Sequence, residues 1–476
     1  MRIFLIWADK GLETKNLMLE LKKHGHEIVY WVGIKGGEKD KLPETIFHEH
    51  WQAVAGLPAE NIDMAEFSPP GEDLIEKLYG VESIILTMMN KRYDKMCVDE
   101  RRHLYYNMLQ YWRGIIEKYK PEVIIFAAIP HTIFNYLVYE LAIFFGIKTI
   151  IIETTWVRER SLIYNDFWQG NNNLQQELKN NKGKNFLLTD LSDDLKEYYQ
   201  LQTSRYHDAT PQYMKEIKMK YSINKLIFFK ARIIIRSLKD LTILKKVPLY
   251  FIKLFGQNIR KEYRSVQKKS NLAKKFIYVP LNYQPERTTS PQGGIFVDQI
   301  LMVEILSAAL PPDWVIYAKE HPYQLLARGL NFSSSRYPGY YRKIAKLKNV
   351  ELIPVETNTY TLIDKSQAVA TVTGTAGWEA ILRSKPAITF GYPWYQDYPG
   401  VLKVNNVESC KKALQKVKDG FKIEQQQVIN YLKSFDRASI YGYVDVGVVE
   451  NPQITKQESI KNITQAILEE MEKIHD

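Results

Sequence analysis

The residues of this chain best suited to chemistry stand where apolar runs end. In VIYAKEHPY (Val315–Tyr323) a strand-like run stops at Ala318, and Lys319, Glu320, His321 and Pro322 follow at its carboxyl edge. Pro322 stiffens the backbone, so the imidazole projects in a fixed direction. A histidine beside a lysine suits an anionic ligand, because both donate hydrogen bonds to phosphate oxygens. In AVATVTGTAGWEA (Ala368–Ala380) a strand runs into the small residues Thr373, Gly374, Thr375, Ala376 and Gly377, then into a helix with Glu379 expected in its first turn. Small residues let backbone N–H groups approach a ligand, and a helix N-terminus favours anions. Glu379 would complement the helix dipole and reach a ribose hydroxyl. In YVPLNYQPERTTSPQGGIFVDQ (Tyr278–Gln299) a strand opens into a long polar loop. Gln284, Glu286 and Arg287 in it are candidate contacts for a sugar nucleotide, since long loops at strand ends are commonly functional. Taken singly, each has an ordinary reading: a surface histidine, a tight βα turn with a solvated acid, a polar surface loop.

The elements that must position these groups alternate in type. In the first half, Ile3–Trp7, Glu27–Val32, Glu122–Ala127 and Thr149–Ile152 read as strands, and Leu12–His24 and Phe134–Phe145 as helices. In the second half, strands are expected at Phe276–Pro280, Trp314–Lys319, Val350–Ile353, Ala368–Thr373 and Pro386–Phe390. Helices are expected at Phe296–Leu310, Tyr360–Lys365 and Gly377–Ser384. Such alternation argues for an α/β protein with parallel sheets covered on both faces. Gly25 and Gly146 sit where a helix hands over to the next strand. At 476 residues the chain exceeds what one core usually supports. Expected units are an N-terminal Rossmann-like domain (1–222), a basic helical segment (223–275), a second Rossmann-like domain (276–450) and a terminal helix (451–476). That last helix carries an apolar stripe at Ile460, Ile463, Ile467, Met471 and Ile474. Ligands in such sheets bind beyond the carboxyl ends of the strands, which is where the three motifs fall.

Taken together, PLNYQPE, KEHP, TGTAGWEA and GYPWYQDYPGV, in this order between Tyr278 and Val401, resemble the capsule polysaccharide biosynthesis proteins, a group that includes Kdo transferases. The resemblance implies a GT-B fold, with two Rossmann-type domains facing a central cleft, and a CMP-activated acidic sugar as donor. It aligns His321 and Pro322 with the family's His-Pro element at the nucleotide phosphate. Thr373, Thr375 and Glu379 match its Ser/Thr-Gly and Glu positions that hold phosphate and ribose, while Gly374 and Gly377 of the small-residue turn are further donor-binding candidates. The implied reaction is transfer of a Kdo-like sugar to a surface polysaccharide or glycolipid. The alternatives are a CMP-sialic-type, UDP- or GDP-sugar donor, or a non-catalytic polysaccharide- or lipid-binding export factor. A two-Rossmann epimerase fits less well, having no use for the basic segment.

The first half would bind the acceptor and supply a carboxylate, either as base for the acceptor hydroxyl or as nucleophile. Glu153 and Asp166 are the candidates, with Glu159 behind them. His131, after Pro130 at a strand end, would face the cleft, and Asp9 would be a cleft-edge acid or a helix cap. Arg158 and Arg160 could hold the donor's carboxylate through paired N–H bonds. An ordinary surface ion-pair cluster is the other reading of these charges. No DxD motif occurs, so no metal is expected in catalysis and no cofactor beyond the nucleotide-sugar donor. Cys97 and Cys410 stand far apart with no CxxC nearby, which offers neither a disulfide framework nor a zinc site.

Hydrophobic content of 45% and charged content of 25% are those of an ordinary folded protein. The net charge of +11 is concentrated. Residues 225–275 hold fifteen Lys/Arg against two acids, a surplus of 13, which leaves the rest near −2. Cations interleaved with aliphatics and Phe228/Phe229 suit a helix lying on anionic lipid, or a packed helix pair with solvated charges; nucleic acid is not the expected partner. The apolar stretch Tyr136–Trp156 is interrupted by Glu140, Gly146, Lys148 and Glu153 and reads as a buried helix and strand, not a membrane span. No signal peptide is readable at Met1–Ala8. The expected location is cytoplasmic, peripheral at the inner face of the membrane.

Overall fold

The computed structural model describes residues 1–8, 12–34, 44–204, 232, 235–236, 258–325, 335–444, 449 and 452–475. Asp9 and most of the basic segment lie outside the described residues, and so does the reading of 223–275 as a lipid-facing helix.

Two sheets organise the chain. The first contains β1 (Arg2–Ile6), β2 (Glu27–Gly33), β3 (Ile46–Glu49), β4 (Val123–Phe126), β5 (Lys148–Thr154), β6 (Arg160–Tyr164) and β13 (Ile440–Tyr441), in the order β13-β6-β5-β4-β1-β2-β3. Its strands run parallel except β6, which is antiparallel to both of its neighbours, β5 and β13. The second contains β7 (Lys275–Pro280), β8 (Trp314–Lys319), β9 (Val350–Leu352), β10 (Ala368–Thr371), β11 (Ala387–Thr389) and β12 (Val401–Lys403). It is parallel throughout, in the order β12-β11-β10-β7-β8-β9. In each sheet the chain winds outward from a central strand, returns beside it and winds out the other way. That is the Rossmann pattern, with switch points between β1 and β4 and between β7 and β10.

The near-continuous burial of β4, β8 and β10 is what a sheet covered on both faces requires. Gly146 ends the helix Ile133–Phe145 in the left-handed region at φ 70°, a conformation that costs glycine little, and β5 follows two residues later. The stretch Tyr136–Trp156 is thus a buried helix and strand. Among the described residues no helix is long and apolar enough to cross a membrane.

The carboxyl edges of the two sheets turn toward each other. Glu153, near the end of β5, feels the charge of Arg287 in the loop beyond β7. A second contact joins the domains away from that edge, the Tyr164 hydroxyl of the antiparallel β6 donating to the Trp394 carbonyl between β11 and β12 at 3.4 Å. This is the GT-B-like architecture of two facing Rossmann-type domains.

After residue 424 the chain crosses back, so the range 276–450 does not correspond to one sheet. The helix Gln425–Ala438 packs beside Asn172–Asn180 of the first half, and β13 pairs antiparallel with β6. The helix Lys456–His475 then lays Ile460, Ile463, Ile467 and Met471 against Leu17, Leu21, Ile3 and Ile152. Its apolar stripe covers the first sheet.

Candidate functional site

The three motifs meet because β10, β7 and β8 are adjacent and parallel. The loops leaving the carboxyl ends of these strands therefore gather at one edge, beside the switch point. Glu320, just past β8, is fully buried, and an ionised carboxylate there needs a partner. Arg336 supplies it, with Nε 2.8 Å from Glu320 Oε2 and Nη2 3.2 Å from Oε1. The Tyr341 hydroxyl donates to the same carboxylate at 2.8 Å. The remaining guanidinium donors cross to the β7 loop, reaching the Asn282 carbonyl at 3.0 Å and the Gln284 side-chain oxygen. Asn282 Oδ1 in turn accepts from the Thr371 hydroxyl at 3.1 Å, and Thr371 Oγ1 accepts from Gly374 N at 3.1 Å. At the other end Glu320 Oε1 accepts from His321 N at 2.7 Å. One unbroken relay therefore ties the glycine turn to the histidine.

His321 is half-buried between the rings of Tyr283 and Tyr323, at 5.7 and 5.6 Å. Burial, with the charges of Arg336 and Lys319, lowers its pKa to about 4. The imidazole is thus neutral at physiological pH. Its Nδ1 accepts from Tyr323 N at 3.3 Å, which assigns the ring proton to Nε2 as a single donor.

Lys319 differs from its expected role. Its ammonium is buried and donates to the Thr357 carbonyl at 2.8 Å and the Thr359 hydroxyl at 2.7 Å. Two of its three N–H groups brace the turn before the helix Thr359–Lys365. Burial lowers its pKa to about 8 against the opposing pull of Glu379.

Glu379 is also placed differently from expectation. Gly374 is the N-cap and the helix runs Thr375–Leu382, so Glu379 sits in the second turn rather than the first. Burial raises its pKa to about 7, opposed by Arg383, Lys319 and a hydrogen bond with Thr375. Thr373 donates its hydroxyl to the Thr288 carbonyl and so fastens the long loop. Gly377 is small for packing: a Cβ there would lie 2.2 Å from the Tyr395 hydroxyl. In the loop, Gln284 is buried, donating to the Val297 carbonyl at 2.7 Å. Glu286 is exposed, its carbonyl accepting from Thr289 N at 3.1 Å. Pro322 opens the short turn Pro322–Leu325.

Of the first-half candidates, Glu153 feels the charge of the facing loop. It is buried, its Oε2 has no hydrogen-bond partner among the described residues, and burial raises its pKa to about 7 with Arg287 opposing. The others are committed to structure. Arg160 forks onto Asp194 at 2.9 Å, pairs with Asp436 at 3.1 Å and lies over the Tyr441 ring. It fastens the returning C-terminal chain and is not available to a donor carboxylate. Glu159 Oε1 accepts from Gln453 N at 2.7 Å, also anchoring that chain, while its buried Oε2, like that of Glu153, has no hydrogen-bond partner among the described residues. Asp166 accepts from the Tyr139 hydroxyl at 2.7 Å and Trp168 N at 2.8 Å, capping its own turn. Arg158 pairs with Glu197 at 3.0 Å; the adjacent Tyr198 feels both its charge and that of Glu379. His131 Nδ1 lies 2.7 Å from the Ile129 carbonyl, so that nitrogen carries a proton. Arg336, Tyr341 and Asn282 carry no pattern in the sequence that marks them; the hint was Glu320, an acid in a buried strand end that requires a counter-charge.

A family model described as capsule polysaccharide biosynthesis protein matches residues 172–432, more than half of the chain. The chain belongs to this capsule polysaccharide biosynthesis family. The match contains the whole of the relay and the 391–401 segment, while Glu153 and His131 precede it. The capsule polysaccharide modification protein LipA of Neisseria meningitidis serogroup B (strain ATCC BAA-335 / MC58) is 33% identical over 84 residues, which are 18% of this chain and 11% of that protein. This chain thus spans about a tenth of the length of the curated relatives it matches. Among solved structures, the Thermosulfurimonas dismutans KpsC beta Kdo 2,7 transferase aligns over 75% of this chain and 90% of that one, with 14% identity and a TM-score of 0.29. The UDP-GlcNAc 2-epimerase of Methanocaldococcus jannaschii aligns over 98% and 100%, with 13% identity and a TM-score of 0.24. Scores of this size leave the chemistry of this capsule-family chain to its own residues. Among those described, no group of three or more His, Cys, Asp or Glu is arranged to hold a metal ion.

Proposed function

We propose that this chain is a glycosyltransferase that moves an acidic, Kdo-like sugar from a CMP donor to a surface polysaccharide or glycolipid. The observation that carries the reading is the relay from Gly374 to His321, which joins two distant segments at the switch point of the second sheet. Helix N-termini and fixed N–H donors at such points suit a phosphate. His321 would donate from Nε2 to a phosphate oxygen, and Glu379 would accept from a ribose hydroxyl. From the facing sheet, Glu153 would take the acceptor's proton as the acceptor oxygen bonds to the anomeric carbon, or would itself bond to that carbon and then yield the sugar to the acceptor oxygen. The bond from that carbon to the phosphate breaks, and CMP leaves. Arg287 would offset the donor's negative charge. The reading routes no step through a metal ion. A lipid-linked acceptor at the inner face of the membrane would give the 13 surplus positive charges of 225–275 an anionic surface to meet.

Calorimetric titration with CMP, UDP and GDP tests the donor. CMP is expected to bind most tightly, and His321→Ala to weaken it about tenfold, the loss of one hydrogen bond to a charged group. Tighter binding of UDP or GDP would replace the donor, and binding of none would remove the nucleotide-sugar reading.

A further inference from the structure

The segment GYPWYQDYPGV (Gly391–Val401) stands between β11 and β12, and the proposed chemistry gives it no part. Its contacts run in two directions. Toward the nucleotide side, the Tyr395 hydroxyl donates to the Gly374 carbonyl at 2.7 Å. That carbonyl belongs to the N-cap of the helix bearing Glu379. Trp394 packs on Trp378 of the same helix at 5.0 Å between ring centroids. Toward the first domain, Asp397 accepts from Asn171 N and from Gln175 Nε2, each at 2.8 Å. Gln396 donates to the Phe167 carbonyl at 2.9 Å, and Tyr392 meets Trp168 edge-on at 4.7 Å.

The surface that receives these bonds is continuous with the candidate carboxylate. In the β5–β6 pair, Glu153 lies opposite Leu162 and Ile151 opposite Tyr164. Side chains alternate along a strand, so Glu153, Ile151, Leu162 and Tyr164 share one face. Tyr164 reaches up from that face to the Trp394 carbonyl. Close approach is built in at Gly170, with φ 90°, where a Cβ would lie 2.3 Å from Asp397 Oδ1. Both Asp397 oxygens are thus bonded across the domain boundary, two residues from a tyrosine bonded to the glycine turn.

We propose that Asp397 is a positioning residue: it pins the first domain to the 391–401 segment and so sets Glu153 at a fixed distance from the turn Thr373–Glu379. The catalytic part of this inference rests on the transferase reading; the pinning does not. Displacing a reacting group by about 1 Å costs on the order of 100-fold in turnover, so a modest loosening has a large kinetic effect. The nucleotide contacts proposed for His321 and Glu379 come from the second domain alone, so donor affinity is expected to be kept.

The test uses the full chain with a nitroxide on the exposed Cys97 and a second on Lys412→Cys, the other native cysteine, Cys410, being buried. Pulsed dipolar spectroscopy then reports the distance between the domains. The unaltered pair is expected to give one narrow distribution, and Asp397→Ala a distribution about twice as wide, since two cross-boundary bonds are gone. CMP affinity should stay within about threefold. Turnover of CMP-Kdo should fall on the order of 100-fold with KM for the donor unchanged. Gln175→Ala, which removes one of the two bonds, should give an intermediate width and loss, and it serves if Asp397→Ala does not fold. An unchanged distribution in the folded variant, or a turnover loss matched by an equal loss of donor affinity, overturns the proposal. Failure of CMP to bind the unaltered protein would remove the donor reading while the distance measurement still decides the pinning.

Discussion

Glu153→Gln is expected to lower turnover on the order of 1,000-fold while leaving CMP affinity unchanged. The glutamine keeps the size of the buried side chain but can neither accept the acceptor's proton nor attack the anomeric carbon, and such groups supply roughly 100- to 10,000-fold. Glu153 belongs to the first domain, across from the relay, so nucleotide binding does not depend on it. Its pKa fixes the pH profile. Burial raises the carboxyl to about 7, so it is protonated and inactive below that value and ionised above it. The rate should rise about tenfold per pH unit on the acid side and level off above neutrality. Arg287 opposes the upward shift, so Arg287→Met should move the midpoint to higher pH. Glu379 has a similar pKa of about 7, but it stands on the donor side. A profile whose acid limb survives in Glu153→Gln would assign the titration to Glu379 and remove Glu153 from the reaction.

Arg336→Met is expected to be the most destabilising single change in the second domain. It strands Glu320, which is fully buried, and removing one partner of a buried pair costs about 3–5 kcal/mol. That is a large part of a typical domain's roughly 5–15 kcal/mol. Thermal unfolding of that domain should come on the order of 10 °C earlier. CMP binding should weaken as well, because the relay from Gly374 to His321 is cut at its centre. The double variant Glu320→Gln with Arg336→Met should be less damaged than the sum of the two single changes, as neither charge is then left alone. Unfolding unchanged in Arg336→Met would mean that Glu320 is satisfied without it.

Local patterns were legible where the cause is local. The run ending at Ala318 and the polar residues after it marked the end of β8 to within one residue, because burial on both faces leaves an uninterrupted apolar stretch. The helix stripe at Ile460, Ile463, Ile467 and Met471 was equally plain. Glu379 was misplaced by a turn because the cap is Gly374, whose amide is taken by the hydroxyl of Thr371; spacing does not reveal that bond. Arg160 looked available to a ligand because its partners, Asp194 and Asp436, are 34 and 276 residues away. The crossing of the chain back to the first sheet was hidden for the same reason: β13 is two residues long and has no pattern of its own. Arg336 emerged only once the burial of Glu320 was known.

A crystal of the full chain grown with CMP would locate the nucleotide. A phosphate is expected within hydrogen-bond distance of His321 Nε2 and the N-terminus of the helix Thr375–Leu382, with a ribose hydroxyl at Glu379. Nucleotide density elsewhere, or bound only by the first domain, would contradict this placement.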